Sequence, residues 1–508
     1  MSKKGKVYLV GAGPGDPELI TVKGKRLLGR AEVVVYDYLA NKKLLAHVPP
    51  TAVLIYAGKK GGSTHTHSQT EINQMLVDHA LGGKTVVRLK GGDPFIFGRG
   101  GEEIEELSAH GVPFEVVPGV TSASAAATYA GVPITHRAFT SSVAFITGHE
   151  DPNKKESRIA WDKLATGVGT LVFYMGIKNL PNIVANLIKH GRDPQTPVAV
   201  VRWASTPEQR SVVGTLASIS EVVRQAGITP PALVVVGEVV SLREVINWYE
   251  KRPLFGKKIL VTRSREQASE LVQSLEDLGA DCLEGSTIAL AEPPDWAPLD
   301  QALDKIATYN WLLFTSPNAV NFFFKRLAAL GLDSRRLHGP QIAVVGTATA
   351  EALQNYGIKA DLLPARFTAE GLAEALLAQG VSGRKILLPR ALKAREVLPE
   401  SLRAAGAEVD IAPVYQNTRP PMADEIRQAL ERQEVDLITF TSSSTASNLF
   451  ALLNWPAEEL ARRLAGVKIA AIGPITAATV EKAGLKVDIQ PETHTIPEMV
   501  SAIAAYYL

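Results

Sequence analysis

Short apolar runs, separated by longer stretches with helical spacing, dominate the first half of the chain. Lys6-Val7-Tyr8-Leu9-Val10, Glu32-Val33-Val34-Val35-Tyr36-Asp37 and Thr85-Val86-Val87-Arg88-Leu89 read as strands. Continuous valine-rich runs of this length suit a sheet covered on both faces. The spacing predicts helices over about 17–30 and 69–81. A short strand follows at 113–117, then the turn Pro118-Gly119-Val120-Thr121-Ser122 and a helix of small residues over 123–130. Beyond Pro133 the pattern restarts, with strands at 143–147, 170–174, 198–201 and 233–236 between helices. This alternation predicts two α/β domains, 1–118 and 119–248.

The second half opens at Gly256, after the polar linker Glu250-Lys251-Arg252-Pro253, and repeats itself. Lys258-Ile259-Leu260-Val261-Thr262-Arg263 recurs as Lys385-Ile386-Leu387-Leu388-Pro389-Arg390. Phe314-Thr315-Ser316 recurs as Phe440-Thr441-Ser442, and Ala343-Val344-Val345-Gly346-Thr347 as Ala470-Ala471-Ile472-Gly473-Pro474. A near-constant offset of about 127 residues means two similar α/β units. Proline-rich segments, Glu292-Pro293-Pro294 and 413–421, interrupt both copies at matching places. Read as crossings, they predict a discontinuous domain of 256–290 and 421–508 and an inserted domain of 299–411. A single cut at about 383 is the simpler alternative.

Composition narrows the class. The 508 residues leave room for about three to four domains. No apolar run approaches the roughly 18 residues of a membrane span, and the start, Met1-Ser2-Lys3-Lys4-Gly5-Lys6, lacks a signal-peptide core, so a cytoplasmic protein is expected. Cys282 is the only cysteine, which excludes an internal disulfide and a cysteine-rich metal site. A net charge of +2 gives no case for nucleic-acid binding, though a local basic patch can still hold a polyanionic small molecule.

Candidate chemistry concentrates in 88–103, R-L-K-G-G-D-P-F-I-F-G-R-G-G-E-E. Gly91-Gly92 and Gly100-Gly101 permit positive φ and close approach of backbone to a ligand, and Asp93, Arg99, Glu102 and Glu103 place both signs of charge there. A tight strand-to-helix connection with a polar cap is the plain alternative. The first turn, Gly11-Ala12-Gly13-Pro14-Gly15-Asp16-Pro17, with Asp37 after the next strand, imitates a dinucleotide site. Asp16 replaces the third glycine, however, and Pro14 and Pro17 remove amide donors that a pyrophosphate needs. His65 and His67 have no third ligand nearby in sequence, so a solvated loop is expected and no metal. Either the small residues of the helix over 123–130 simply permit tight packing, or the Thr121 and Ser122 hydroxyls face a ligand at its start.

Taken together, V-G-A-G-P-G-D-P (10–17), G-K-K-G-G (58–62), G-G-D-P-F-I-F-G-R-G-G-E-E (91–103), P-G-V-T-S-A (118–123), P-I-T-H-R (133–137), Tyr174-Met175-Gly176 and P-A-L-V-V-V-G-E-V-V (231–240) resemble the uroporphyrinogen-III C-methyltransferases. The match runs in order over 5–245 and implies the two-domain tetrapyrrole methylase fold, with a homodimer formed through this half. It implies S-adenosylmethionine as cofactor, held by Pro14, Gly91, Gly92, Asp93, Thr121, Ser122, Met175, Ala204 and Ala232. Glycine, alanine and proline let backbone atoms lie close to a flat adenine and a sulfonium. The sulfonium methyl is already activated, so the protein must hold an electron-rich pyrrole carbon in line and exclude water. One base must then remove the ring proton. The resemblance points to Arg99, but an arginine is a poor base. Arg99 is therefore expected to bind a substrate carboxylate, with Glu102 as proton acceptor. Lys59 and Arg137 are the next carboxylate clamps, and Lys60, Arg88 and Lys90 are further cations that would converge on a substrate of eight carboxylates. Phe95 and Phe97 are expected to pack.

The second half resembles uroporphyrinogen-III synthase through V-T-R, F-T-S-P-N-A-V, V-G-T-A-T, V-Y-Q-N-T and T-F-T-S-S-S-T-A, within 256 to about 480. That family closes linear hydroxymethylbilane into a ring without metal or cofactor. Tyr415 is the residue expected to hydrogen-bond the leaving hydroxyl, local packing being the plain alternative. Arg263, Thr315, Ser316, Thr347, Thr441, Ser442 and Thr476 are expected to bind substrate carboxylates at helix starts, helix capping again being the plain role. The two resemblances imply one bifunctional enzyme making precorrin-2, methylated at C2 and C7, on the way to sirohaem or cobalamin. The rivals are a dinucleotide-dependent oxidoreductase and, for the second half, a non-enzymatic ligand-binding sensor.

Overall fold

The computed structural model describes residues 4–58, 67–149, 158–262, 265–285, 287, 289–418 and 422–508. Its first sheet holds β1 (Lys6–Gly11), β2 (Val33–Tyr36), β3 (Val53–Tyr56), β4 (Thr85–Lys90) and β5 (Phe114–Val117), in the order β3-β2-β4-β1-β5. Every pairing in it is parallel. Successive residues serve opposite faces: Val33, Val35 and Val86 enter one core, while Val34, Val87 and Leu89 enter another on the far side. Cover on both faces of the inner strands explains why these runs are mainly apolar. The helix expected over 17–30 is shorter. A 3₁₀ turn at Pro17–Leu19 ends before Thr21, whose side chain accepts from Gly24 N at 3.1 Å and starts a new helix, Val22–Leu28.

The second sheet contains β6 (Val143–Thr147), β7 (Thr170–Tyr174), β8 (Pro197–Arg202), β9 (Arg210–Thr215) and β10 (Ala232–Val236), in the order β6-β7-β10-β8-β9. It is mixed: β6 and β7 are parallel, and β10 runs antiparallel to β7 and β8. The periodicity does not reveal β9, an edge strand whose residues are half-buried or exposed. The small-residue helix, Ser122–Ala130, lays Ala123, Ala126 and Ala130 against Val172, Ala199, Val201 and Val235 of this sheet. Alanine lets the helix approach closely enough to fill that face with little side-chain entropy lost.

In the second half, β11 (Lys258–Val261), β12 (Asp281–Glu284), β18 (Leu437–Phe440) and β19 (Lys468–Ala471) form one sheet, in the order β12-β11-β18-β19. Between them in sequence, β13 (Ala289–Ala291), β14 (Trp311–Phe314), β15 (Gln341–Val344), β16 (Lys385–Ala391) and β17 (Glu408–Thr418) form another, ordered β13-β17-β16-β14-β15. β13 pairs with the far end of β17, so 289–291 and 412–418 lie in this second sheet. The repeat is visible atom by atom. Ala343 bridges Leu362 as Ala470 bridges Ile489. Asp361 Oδ2 accepts from Ile342 N at 2.7 Å, as Asp488 Oδ2 does from Ile469 N at 3.1 Å. By contacts the chain divides into two units, one of Met1–Lys258 with Ser274–Asp281 and Ala504–Leu508, the other of Ile259–Gln273 with Cys282–Ile503.

Candidate functional site

Three loops leave the first sheet at its carboxyl edge, after β1, β4 and β5, and meet backbone to backbone. Gly13 and Gly92 exchange backbone hydrogen bonds, Gly92 N to Gly13 O at 2.7 Å and Gly13 N to Gly92 O at 3.3 Å. A Cβ on Gly11 would lie 2.5 Å from Gly119 Cα, so only glycine fits at this crossing. Both Gly13 and Gly92 need positive φ, +79° and +69°. Asp93 fastens the junction, its Oδ2 accepting from Gly119 N at 3.0 Å and its Oδ1 from Phe95 N at 2.8 Å. Above Gly92 there is room: a Cβ there would meet only Ser122 N, at 3.7 Å.

The second sheet supplies the opposite wall. Tyr174, at the end of β7, shares a hydrogen with Thr121 Oγ1 at 2.6 Å and accepts from Ala123 N at 3.2 Å. Thr121 therefore does not cap its helix; its hydroxyl is turned to Tyr174. Burial pushes the Tyr174 phenol up, so it stays protonated as a donor. Met175, the next residue, is 52% exposed at φ 55°. Gly15 abuts the loop after β8, its missing Cβ leaving space for Thr206 Cγ2 and Ala204 O. Asp16 N donates to Ser205 Oγ at 3.1 Å. Ala232 begins β10, paired with Arg202. These contacts bring Gly92, Asp93 and Thr121 together around Gly119 and Tyr174, and Ala204 against the first loop at Gly15. Five non-glycine residues with positive φ lie on these loops: Phe97, Arg99, Met175, Trp203 and Ser205. Each costs on the order of 1 kcal/mol, and such strain gathers where positions are held for a ligand.

Arg99 caps the helix Gly100–Ala109 in the left-handed region, φ 58°. Its guanidinium forks onto Glu102, Nε to Oε1 at 2.9 Å and Nη2 to Oε2 at 2.6 Å, with both side chains about half exposed. The hydrogen bond from Arg99 holds the Glu102 carboxyl below its ordinary range. Arg137 is exposed on the turn closed by His136 and Thr140 and makes no hydrogen bond or ion pair among the described residues. Phe97 packs on Tyr174 with ring centroids 4.9 Å apart, but Phe95, expected to pack, is 59% exposed. Lys59, Lys60, His65 and Arg263 lie outside the described residues.

In the second half, Ser316 and Ser442 hold equivalent positions after β14 and β18. Each caps the helix that follows, Pro317–Ala329 through Ala319 N and Ser443–Leu453 through Thr445 N. Thr315 and Thr441 precede them, half-buried. Thr347 is the exposed first residue of the helix Thr347–Gln354. Tyr415 lies on β17 with its ring stacked on Phe322 at 5.6 Å and its hydroxyl 3.4 Å from Ser316 Oγ. Its hydroxyl thus meets one of the helix starts, and its ring meets the core.

Residues 6–220 match the model of the tetrapyrrole (corrin/porphyrin) methylases, and residues 269–501 match that of uroporphyrinogen-III synthase HemD. A porphyrin biosynthesis protein HemD of Ruminiclostridium josui is 39% identical over 501 residues, 98% of this chain and 97% of that protein. The chain belongs to this family, a tetrapyrrole methylase joined to a uroporphyrinogen-III synthase. It is a two-part enzyme of tetrapyrrole biosynthesis. An S-adenosyl-L-methionine-dependent uroporphyrinogen III methyltransferase of Methanosarcina barkeri is 54% identical over 48% of this chain and 95% of its own. The uroporphyrin-III C-methyl transferase of Thermus thermophilus, solved with S-adenyl homocysteine, is 44% identical, covering 47% of this chain and 100% of that one at a TM-score of 0.41.

Several expectations for the methylase and synthase halves need correction. Arg88 and Lys90 are not free to meet a substrate: both side chains are 4% exposed and bound to Glu103, Arg88 Nε at 3.1 Å and Lys90 Nζ at 2.8 Å. Alternation along β4 could not show this, because a buried cation reads as an interruption of an apolar run. Thr476 is 5% exposed within the helix Pro474–Lys482, like its repeat partner Thr349 at 2%, and packs rather than facing solvent. The dinucleotide imitation fails on geometry as well, since the Ala12 and Gly13 amides are taken by Lys90 O and Gly92 O. Asp37, read from sequence only as part of that imitation, ends up partly open after β2 and bonded to Arg88 at 3.1 Å. Its one sequence signal was an acid directly after a strand.

Proposed function

We propose that this chain converts hydroxymethylbilane into precorrin-2. The synthase half closes the ring with its last pyrrole inverted, giving uroporphyrinogen III. The methylase half then transfers two methyl groups, to C2 and C7. The observation that carries the methylase reading is the open face of Gly92 beside Ser122 N, next to Thr121, whose hydroxyl is tied to Tyr174. Pro14, Gly91, Gly92, Asp93, Thr121, Ser122, Met175, Ala204 and Ala232 would hold S-adenosylmethionine, which supplies the activated methyl group. The rest is positioning by this chain's own residues. Arg99 offers a planar fork to a substrate carboxylate, with Arg137 and Lys59 as further clamps. A carboxylate that takes Arg99 releases Glu102, whose proton affinity then rises back toward an ordinary carboxylate's. Glu102 becomes the base that removes the ring proton, and substrate binding itself activates it.

In the synthase half, the Tyr415 hydroxyl would hydrogen-bond the departing hydroxyl of hydroxymethylbilane, steadied by the Phe322 stack. The helix starts at Thr315–Ser316, Thr347 and Thr441–Ser442, with Arg263, would hold the substrate carboxylates where helix dipoles favour negative charge. The domain limits that fit this scheme are 1–118, 119–248, a discontinuous 256–290 with 421–508, and 299–411, the inserted sheet also taking its edge strand 289–291 and the far end of β17, 412–418. No helix of the described residues is long and apolar enough to cross a membrane. A cytoplasmic homodimer that binds neither nucleic acid nor membrane completes the reading. Incubating the chain with hydroxymethylbilane and S-adenosylmethionine tests it. Mass analysis should find a cyclic tetrapyrrole carrying two added methyl groups, and a product lacking either the ring closure or the methyls refutes the corresponding half.

A further inference from the structure

A chain of four charged side chains runs beneath the Arg99 loop. Lys90 Nζ donates to Glu103 Oε1 at 2.8 Å, Arg88 Nε donates to the same oxygen at 3.1 Å, and Arg88 Nη1 donates to Asp37 Oδ1 at 3.1 Å. Gln69 Nε2 adds a third donor to Glu103 Oε1 at 3.2 Å. Glu103 is 0% exposed, and among the described residues its Oε2 is buried with no hydrogen-bond partner. Stability alone does not explain such a group, since an apolar side chain of similar size usually does as well as a buried ion pair.

Its location suggests another reason. Glu103 sits in the first turn of the helix Gly100–Ala109, next to Glu102, and its amide donates to Arg99 O at 3.3 Å. Through Arg88 it also reaches Asp37 after β2. One residue therefore ties the start of this helix to the sheet: its amide meets the strained left-handed turn at Arg99, and its carboxylate is anchored to Arg88 and Lys90 of β4, Arg88 reaching on to Asp37. A carboxylate shared by two cations on a single strand fixes both distance and direction, which an apolar contact does not.

We propose that Glu103 is a positioning residue for methyl transfer: anchored to β4 by Arg88 and Lys90, it holds the helix start that carries the Arg99–Glu102 pair. It touches neither substrate nor cofactor. The proposal rests on the reading of Arg99 and Glu102 given above, and the test separates the two. The full chain is assayed for methylation of uroporphyrinogen III, for S-adenosylmethionine affinity by calorimetry, which also reports folding of the methylase half, and for synthase activity as a control on the other half. Failure of the unaltered chain to methylate sinks the functional reading itself. Given an active parent, Glu103→Gln should lower kcat for methylation at least tenfold while affinity for S-adenosylmethionine stays within twofold and synthase activity is unchanged. Glu103→Asp keeps the charge but is one methylene too short to serve both cations. It should recover part of the lost rate and should fold even where the glutamine variant does not. A kcat equal to the parent's in either variant, or a loss of cofactor affinity matching the loss of rate, overturns the proposal.

Discussion

Replacing Arg99 with lysine asks whether the planar fork, rather than charge alone, serves the methylase half. The substitution keeps a cation and a Cβ, so the left-handed strain at φ 58° is the same in both proteins. What is lost is the second of two parallel hydrogen bonds to Glu102, in a pair about half exposed. Exposed helix pairs of this spacing contribute about 0.3–0.5 kcal/mol, so thermal stability should hardly move. Against a substrate carboxylate in a closed site, one charge-assisted hydrogen bond is worth about 1.5–3 kcal/mol. At 25 °C that is roughly a 10- to 150-fold loss in kcat/KM for methylation. Initial rates of labelled methyl incorporation into uroporphyrinogen III measure this, with cofactor affinity and synthase rate alongside. Both of those should remain near normal. A lysine variant that loses cofactor affinity instead would show that Arg99 belongs to the cofactor cradle, and one with undiminished methylation would show that the fork is idle.

Tyr415→Phe keeps the ring stacked on Phe322 and removes only the hydroxyl, so synthase turnover should fall by about 100-fold or more while methylation of supplied uroporphyrinogen III is untouched. An equal fall in both activities would point to a folding defect. Gly119→Ala drives a Cβ onto the Gly92 carbonyl oxygen and Gly11 Cα, backbone atoms that cannot step aside. It should cost about 3 kcal/mol, the upper end of overpacking penalties, and abolish methylation ahead of synthase activity, which calorimetry with both assays would show. Hydrogen bonds from Lys23 and then Lys6 hold the Glu115 carboxyl down to about 2 from 4.5. A depressed folded value means that the pair stabilises above pH 4.5 and that its contribution is lost as pH falls toward 2. Glu115→Gln should therefore melt slightly lower than the parent at pH 6, and the difference should close on acidification. A gap that widened with acid would reverse the assigned sign.

Much of this architecture is written in the chain itself. Alternating strands and helices, the glycines of 11–15 and 91–92, and the repeat at an offset of about 127 residues are local or periodic features, and hydrophobic period and backbone freedom are enough to read them. Their counterparts appear in the sheets, in Gly13 and Gly92 at positive φ, and in the paired bridges Ala343–Leu362 and Ala470–Ile489. What the chain does not show is how charges are spent. Arg88 and Lys90 look from sequence like cations for a polyanionic ligand, yet folding places them on either side of Glu103, because desolvating a cation is tolerable only beside an anion. Thr476 looks like a hydroxyl at a helix start, and packing buries it. The hydroxyl of Thr121 meets Tyr174, which comes from a strand and lies 53 residues away in sequence. Burial and partner choice depend on residues distant in sequence, so only the tertiary structure decides which charges stay free for substrate and which hold the site in shape.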